Sequence, residues 1–227
     1  PPPPLFFYNH TPPPAMLRSL VGSEMCIRDR TKVDPYKVWI SEIMLQQTSV
    51  STVIPYFKAF FSMWPSVTKL SKADLSEVLS FWSGLGYYSR ARNLLRAAKI
   101  IDKNFKSKIP NKYEDLILLP GVGDYTAKAI LGIGYNETVM PLDANIERIL
   151  ARLYAFKQPL IKVKKNLSQK AQLFLSKKYS SNLIQSFMDY GSLICTPRNP
   201  VCLNCNIQKY GQKIFDGCSG IEEAIFN

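Results

Sequence analysis

The sequence LPGVGDYTAKAI at residues 119–130, followed by PLDAN at residues 141–145, decides the fold. In the first stretch, Gly121 and Gly123 permit positive φ angles and a close approach of the backbone to a ligand. Backbone amides of a tight turn that leads into a helix point outward and can hold a phosphate group. The first stretch therefore predicts a glycine hairpin that runs into a helix and binds phosphate.

Two carboxylates stand out, and they lie about a hundred residues apart in sequence. Glu42 lies between Ile40 and Ile43, and its pattern alone is typical of a surface glutamate on an amphipathic helix. Asp143, taken alone, is typical of a helix N-cap ahead of Asn145. The single histidine, His10, lies in an N-terminal segment that we exclude from the fold, so acid–base chemistry is expected from carboxylates, lysine or tyrosine.

The overall charge favours a polyanionic partner. The chain has 227 residues, a formal net charge of +12 and a pI near 9.5, which suits nucleic acid, although many basic chains bind none. Hydrophobic residues make up 46% of the chain, enough for a sizeable core. The sequence has no run of 18 apolar residues, so no membrane span is predicted.

Residues 1–30 differ in composition from the rest and hold seven of the sixteen prolines. The text SLVGSEMCIRDR at residues 19–30 resembles translated sequencing-adapter sequence. We expect this segment to be a disordered artefact outside the folded protein. A genuine proline-rich disordered arm is the alternative.

From Thr31 onward the pattern predicts an all-α protein. The first helix begins at Asp34 as N-cap with Pro35 in its first turn. A second helix is expected to break at Pro55 and end before Pro65, and a third to start with Ser71 as its cap. Gly84 and Gly86 interrupt the chain before a basic amphipathic helix. Further helices are predicted over residues 111–119, 124–134, 145–154, 162–179 and 183–194.

Four separate stretches resemble one family. They are DPYKVWISEIMLQQT at residues 34–48, WSGLGYYSRARNL at residues 82–94, the glycine hairpin, and LDANIERILAR at residues 142–152. Together they closely resemble the A/G-specific adenine DNA glycosylases, which are helix-hairpin-helix enzymes of the endonuclease-three-like superfamily. The resemblance covers residues 33 to about 210.

The resemblance implies a two-lobed helix-hairpin-helix glycosylase fold with an iron–sulfur lobe. Residues 31–134 would form the helical core, residues 135–210 a helical lobe leading to the cluster cysteines, and residues 211–227 an aberrant tail. It also implies that the chain is a fragment. The family's N-terminal lobe helix and its C-terminal domain, which helps to recognise 8-oxoguanine, have no counterpart in the sequence.

By the same resemblance, Glu42 is the catalytic acid in a partly apolar pocket that would raise its pKa, and Asp143 stabilises or traps the sugar cation. Tyr125 occupies the position at which bifunctional glycosylase/lyases carry a nucleophilic lysine, which implies a monofunctional enzyme. Tyr125 would help to shape the active site. The implied DNA-binding residues are Gln46, Gln47, Leu85, Tyr87, Arg90, Gly121, Gly123 and Asn145.

The turn at residues 82–94 has its own physical interpretation. A sharp turn can project Leu85 or Tyr87 as a wedge into a base step, and Arg90 and Arg92 on the following helix can meet phosphates. An ordinary connection between helices with a solvated basic face is the alternative. The resemblance favours the DNA-contacting interpretation.

The cysteines form a partial metal-binding pattern. Cys195, Cys202 and Cys205 have the C-x6-C-x2-C spacing of the first three ligands of the family's 4Fe–4S cluster, which needs four thiolates. Gly211 occupies the usual position of the fourth ligand, and Cys218 is the next cysteine. A cluster with Cys218 displaced in sequence is expected. A three-cysteine cluster, no cluster, a structural zinc ion and unrelated thiols remain alternatives.

The expected function is base-excision repair, with hydrolysis of the N-glycosidic bond of adenine mispaired with 8-oxoguanine or guanine in double-stranded DNA. An endonuclease-three-like pyrimidine glycosylase and a non-catalytic DNA-binding fragment are the alternatives. We expect a monomer without a membrane partner, located with the nucleoid in bacterial cytoplasm.

Overall fold

The computed structural model describes residues 33–156, 158–175, 177–205 and 207. These residues form two compact units, with the division between Glu137 and Thr138. Every regular element in the described ranges is helical, so the predicted all-α class is confirmed. The predicted artefact at residues 1–30 and the aberrant tail at residues 211–227 lie outside the described residues.

The first unit is built around one buried helix. Its helices are α1 Pro35–Leu45, α2 Val50–Met63, α3 Val67–Ser71, α4 Leu75–Phe81, α5 Ser89–Phe105, α6 Tyr113–Leu116 and α7 Asp124–Ala129, and α7 continues into a π-helical turn at Ile130–Gly134. Helix α1 packs against α2, α5, α7 and the π-helical turn. Trp39, Phe60 and Trp82 are almost fully buried in this core.

The start of α1 is as predicted. The Asp34 side chain accepts a hydrogen bond from the Tyr36 backbone N–H at 2.9 Å, and Pro35 is the first helical residue. Both features stabilise a helix N-terminus. They fix where α1 begins, and therefore which side chains of α1 enter the core.

The predicted break of α2 at Pro55 is wrong, because α2 continues through this residue. Proline removes one N–H donor, which leaves the carbonyl of Ser51, four residues earlier, without its helical partner. Pro55 and Ser51 both lie on the exposed face of α2. Water can hydrate that carbonyl, so the proline interrupts one hydrogen bond and not the helix.

The predicted cap at Ser71 is also wrong. Ser71 ends α3, and its hydroxyl donates to the Thr68 carbonyl at 3.0 Å and to the Asp102 carboxylate at 2.9 Å. Asp74 is the N-cap of α4. Ser71 therefore ties α3 to α5 through its side chain, a long-range contact that its local pattern does not reveal.

In its described residues, the second unit contains α8 Ala144–Leu153, α9 Leu160–Gln172, α10 Ser180–Leu193 and a 3-10 turn at Cys202–Asn204. Helix α8 packs against both α9 and α10. Helix α9 ends earlier than predicted, because the amides of Leu173, Phe174 and Leu175 bond to carbonyls three residues back and tighten the chain into turns.

Gly191 sets the spacing between α8 and α10. A Cβ atom at this position would lie 2.5 Å from the Cβ of Asn145. Only glycine permits this approach without a backbone shift, so the two helices meet at Asn145, next to the start of α8. Across the described residues of both units, the structure contains no helix with the length and apolar character of a membrane span.

Candidate active site and nucleic-acid interface

The glycine hairpin lies at the start of α7. Gly121 has a φ of +79°, and a Cβ at this position would lie 3.0 Å from the Cβ of Asn93 on α5. Both the conformation and the close packing therefore favour glycine at position 121. Gly123 is extended and exposed, with open space where a Cβ would project. The predicted phosphate-binding turn thus has an accessible backbone at Gly123.

Two polar groups surround the first residue of α7. The Asp124 carboxylate accepts a hydrogen bond from the Tyr113 hydroxyl at 2.9 Å and forms an ion pair with Lys128 at 2.8 Å. The Lys128 charge offsets that of Asp124 at the helix start, where a phosphate would otherwise meet an uncompensated carboxylate. Tyr125 follows on α7 and is half-buried.

Glu42 is buried in α1, with 7% of its surface exposed. Ile40 and Ile43 beside it are buried almost completely. Its burial contradicts the interpretation of Glu42 as a surface residue of an amphipathic helix. A carboxyl group held this way by a core helix has the enclosed setting that a general acid needs.

Besides the glycine hairpin, two segments of this unit are predicted to contact DNA, the loop at residues 46–48 and the turn at residues 84–88. Gln47 and Tyr87 are exposed and adopt positive φ angles of 56° and 47°. Leu85, in contrast, is only 4% exposed. Of the two predicted wedge residues, Tyr87 is available at the surface, whereas Leu85 packs inward in this structure.

Arg90 on α5 is also buried, with 7% of its surface exposed. Its guanidinium donates to backbone carbonyls of α1 and of the turn at residues 84–88. The direct phosphate contact predicted for Arg90 does not agree with these contacts. Arg92, two residues further along the same motif, is exposed and so has the accessibility that a phosphate ligand needs.

In the second unit, Asp143 is the N-cap of α8. Its Oδ1 accepts a hydrogen bond from the Ile146 N–H at 2.7 Å, and its Oδ2 accepts one from the Asn145 amide at 2.8 Å. Burial raises the pKa of Asp143, while the hydrogen bonds from Ile146 and Asn145 and the charge of Arg148 lower it. The N-cap prediction is confirmed, and the carboxylate is oriented by its donors.

The side chain of Asn145 is buried and bonds to protein groups, whereas a contact with DNA was predicted for it. It is 3% exposed, and its side-chain oxygen accepts a hydrogen bond from Arg148 at 2.9 Å while its amide donates to Asp143. A side chain enclosed in this way orients Asp143. The structure offers no exposed amide of Asn145 for a direct contact with DNA.

Sequence reasoning missed two buried arginines of α8, Arg148 and Arg152. Arg148 donates to the carbonyls of Cys195 at 2.7 Å and Gly191 at 2.6 Å. Arg152 contacts the Cys195 sulfur at 3.3 Å and donates to the Thr196 carbonyl at 2.8 Å. Their spacing of one helical turn in the RILAR stretch was the available signal, since it places two arginines on one face.

The three described cysteines are not close enough together to form a metal site. Cys195, Cys202 and Cys205 are half-buried free thiols. Within the described part of the chain, no three metal-ligating side chains are grouped closely enough to hold a metal ion. Thiolates suit an iron–sulfur cluster or zinc, and the three described thiols would have to lie closer together to hold either group. Cys218, the predicted fourth ligand, lies outside the described residues.

Comparison with known proteins identifies the family. The model of the HhH-GPD superfamily of base excision DNA repair proteins matches residues 40–177. The chain belongs to this superfamily. It is 43% identical over 177 residues to an adenine DNA glycosylase of Buchnera aphidicola subsp. Baizongia pistaciae, covering 78% of this chain and 50% of the relative.

A second adenine DNA glycosylase, from Buchnera aphidicola subsp. Schizaphis graminum, is 45% identical over 172 residues, covering 75% of this chain and 50% of the relative. The chain therefore spans about half the length of these curated relatives. Among solved structures, a thermostable thymine-DNA glycosylase matches with a TM-score of 0.72 at 25% identity, covering 86% of this chain and 87% of that one. The predicted glycosylase fold is confirmed.

Proposed function

We propose that this protein is a monofunctional adenine DNA glycosylase that hydrolyses the N-glycosidic bond of adenine opposite 8-oxoguanine or guanine in double-stranded DNA. The observation that carries the proposal is the 43% and 45% identity to two adenine DNA glycosylases across three quarters of the chain. The buried Glu42 and the oriented Asp143 supply the two carboxyl groups that this chemistry requires.

The reaction begins with extrusion of the adenine from the base stack. Glu42 transfers its proton to a ring nitrogen of the purine as the glycosidic bond breaks and its electron pair leaves with the base. The sugar then carries positive charge, as in other glycoside cleavages, and the Asp143 carboxylate stabilises this oxocarbenium ion. Water adds to the sugar carbon and gives its proton to the Glu42 carboxylate, either directly or through solvent, which completes hydrolysis and restores the acid.

Asp143 must be ionised for this role. Burial raises the pKa of Asp143 overall, and the Ile146 N–H, the Asn145 amide and the nearby Arg148 charge limit this rise because they favour the ionised form. These groups also fix the orientation of the carboxylate before the substrate binds. Such preorganisation contributes to catalysis because no reorientation is needed when the positive charge develops.

Tyr125 supports a glycosylase without lyase activity. A lyase of this superfamily attacks the sugar with an amine, and residue 125 carries none. Lys128, one helical turn later, is paired with Asp124 at 2.8 Å. We therefore assign Tyr125 to the shape of the nucleotide pocket, and no Schiff base is expected with DNA.

The proposal includes a 4Fe–4S cluster as a cofactor of the second unit. Cys195, Cys202, Cys205 and Cys218 would supply the thiolates. Support comes from the cysteine spacing and from the arginines of α8 that hold the Cys195 segment. Because the described thiols are not grouped, no step of base removal is assigned to the cluster. Iron and sulfide content should fall in Cys218→Ser, and zinc in their place would contradict this ligand set.

The test is a panel of duplexes under single-turnover conditions. Adenine opposite 8-oxoguanine or guanine should be released, and adenine opposite thymine should not. Thymine opposite guanine is included because the matched solved structure is a thymine-DNA glycosylase. Release of thymine alone would replace the adenine proposal, and salt-dependent binding without any base release would indicate a DNA-binding fragment.

Sedimentation of the active species should show a monomer, and in the cell we place it with the bacterial nucleoid.

A further inference from the structure

Arg90 contacts two segments of the first unit that are proposed to face DNA, the loop at residues 46–48 and the turn at residues 84–88. It projects from the first turn of α5 and is 7% exposed. Charged side chains are seldom buried to this extent unless most of their donors are matched. The partners of this guanidinium therefore indicate what it is for.

One side of the guanidinium holds the end of α1. The Nη1 atom donates to the carbonyls of Ile43 at 3.1 Å, Met44 at 2.7 Å and Gln46 at 2.6 Å. The last carbonyls of a helix have no donor within the helix, and a positive charge there complements the helix dipole. Arg90 thus fixes the point at which α1, which carries Glu42, passes into the loop at residues 46–48.

The other side holds the turn at residues 84–88. The Nη2 atom donates to the carbonyls of Leu85 at 2.9 Å and Gly86 at 3.2 Å, and to the hydroxyl of Thr48 at 3.0 Å. The guanidinium also lies 5.6 Å from the centre of the Tyr87 ring, within cation–π distance. A single planar group therefore joins the loop at residues 46–48 to the turn at residues 84–88.

Both segments need such support because they contain unfavourable backbone conformations. Gln47 and Tyr87 have positive φ angles of 56° and 47°, a region that residues other than glycine rarely adopt. Conformations of this kind persist where surrounding contacts determine them. Arg90 provides such contacts from the buried side, which leaves the Gln47 and Tyr87 side chains exposed.

We propose that Arg90 is a positioning residue for base extrusion, which holds the Gln47 loop and the Tyr87 turn in one fixed arrangement against the DNA duplex. The inference rests on the proposed glycosylase function. Lysine cannot replace the arginine, since its ammonium group has three donors and cannot span both segments as a planar fork does. Arg90→Lys keeps the charge and so isolates the loss of the bridge.

The first measurement is hydrogen exchange of the backbone amides in Arg90→Lys. Exchange should accelerate together in the loop at residues 46–48 and the turn at residues 84–88, with α3 unchanged. Arg96→Lys is the matched control, because Arg96 is exposed on the same helix. If Arg90→Lys does not fold, Thr48→Val removes one bridging acceptor and should produce a smaller acceleration in both segments. Acceleration in one segment only, or in neither, would overturn the bridge.

The second measurement compares reaction rates on two duplexes, and it distinguishes a positioning role of Arg90 from a role in the general stability of the protein. On adenine opposite 8-oxoguanine, Arg90→Lys should lose roughly 100-fold in single-turnover rate, as expected for misplaced binding groups. With adenine opposite an abasic site, where no partner base must be displaced, the rate should return close to that of the wild type. Equal losses on both duplexes would assign Arg90 a structural role only.

A third measurement follows base extrusion by itself, so it tests the role of Arg90 separately from the proposed glycosylase function. With 2-aminopurine beside the target adenine, the wild type should increase the fluorescence as the base leaves the stack, and Arg90→Lys should increase it less. If the wild type extrudes the base but releases none, the proposed glycosylase function fails while Arg90 retains its role. Equal fluorescence changes in both proteins would overturn the role of Arg90.

Discussion

The two units position their carboxyl groups in different ways. In the first unit, Glu42 belongs to a helix buried in the core, and Arg90 from a different helix holds the end of that helix. In the second unit, Asp143 caps the same helix that carries its supporting arginine, Arg148, with Asn145 between them. The first carboxyl group thus depends on tertiary packing, whereas the second depends on a short stretch of α8. The two should respond differently to substitution.

The largest expected effect is the loss of catalytic rate when Asp143, in the second unit, is substituted. Asp143→Asn should reduce single-turnover adenine release by about 10²–10³-fold, because a neutral amide cannot stabilise the sugar cation. Folding should be retained, since asparagine is as good an N-cap as aspartate. Thermal melting and the duplex assay together check this result.

The matched control for that prediction is Asp74→Asn, because Asp74 is also a helix N-cap but is exposed and lies in the first unit. Its adenine release should equal that of the wild type. A similar loss of rate in Asp74→Asn and Asp143→Asn would remove the special role of Asp143.

The next effect is on the stability of the second unit. Arg148→Met leaves the carbonyls of Cys195 and Gly191 without their donor, and each buried polar group left unsatisfied costs about 1–3 kcal/mol. The free energy of unfolding should therefore fall by several kcal/mol in denaturant titrations. Arg96→Met, at an exposed position on α5, is the comparison and should change it little. Equal unfolding midpoints for the two variants would argue against this stabilising role of Arg148.

A smaller effect is expected where α8 and α10 meet. Gly191→Ala places a methyl group 2.5 Å from the Cβ of Asn145, so the helices must separate. Overpacking of this kind costs about 1–3 kcal/mol. Gly123→Ala is the matched change, because its methyl group would enter open space. Melting temperatures should fall in the first variant and stay near that of the wild type in the second.

The smallest effect concerns pH. Because burial raises the pKa of Asp143 in the folded state, the folded protein binds this proton more readily than the unfolded chain does. The carboxyl group therefore favours folding at pH values below its unfolded pKa, and this contribution is lost as pH rises through the folded pKa. Asp143→Asn should gain stability relative to the wild type from about pH 4, the ordinary pKa of an aspartate, upward. A constant difference in melting temperature across that range would contradict the pKa direction.

Features that depend on local sequence patterns could be predicted in both units. The helical class, the start of α1 at Asp34 and the N-cap at Asp143 depend on local patterns, and the structure confirms them. The continuity of α2 through Pro55 depends on which face is exposed, and a linear pattern does not fix that face.

The roles of buried polar residues were harder to predict. Arg90 and Asn145 lie in motifs typical of DNA contacts, yet their side chains bond to protein groups enclosed by tertiary packing. Arg148 and Arg152 were missed because their partners lie more than forty residues away in sequence. Local spacing predicts which stretches form the site, but the partners of a guanidinium depend on the folded chain.

We propose that Glu42, a buried glutamate, protonates adenine in mispaired DNA. The most direct test is single-turnover adenine release from a duplex with adenine opposite 8-oxoguanine, by the wild type and by Glu42→Gln, which keeps the size of the side chain but removes the acid. The wild type should release the base, and Glu42→Gln should be slower by about 10²–10⁴-fold, the range for general acid catalysis. Equal rates in the two proteins would contradict the account.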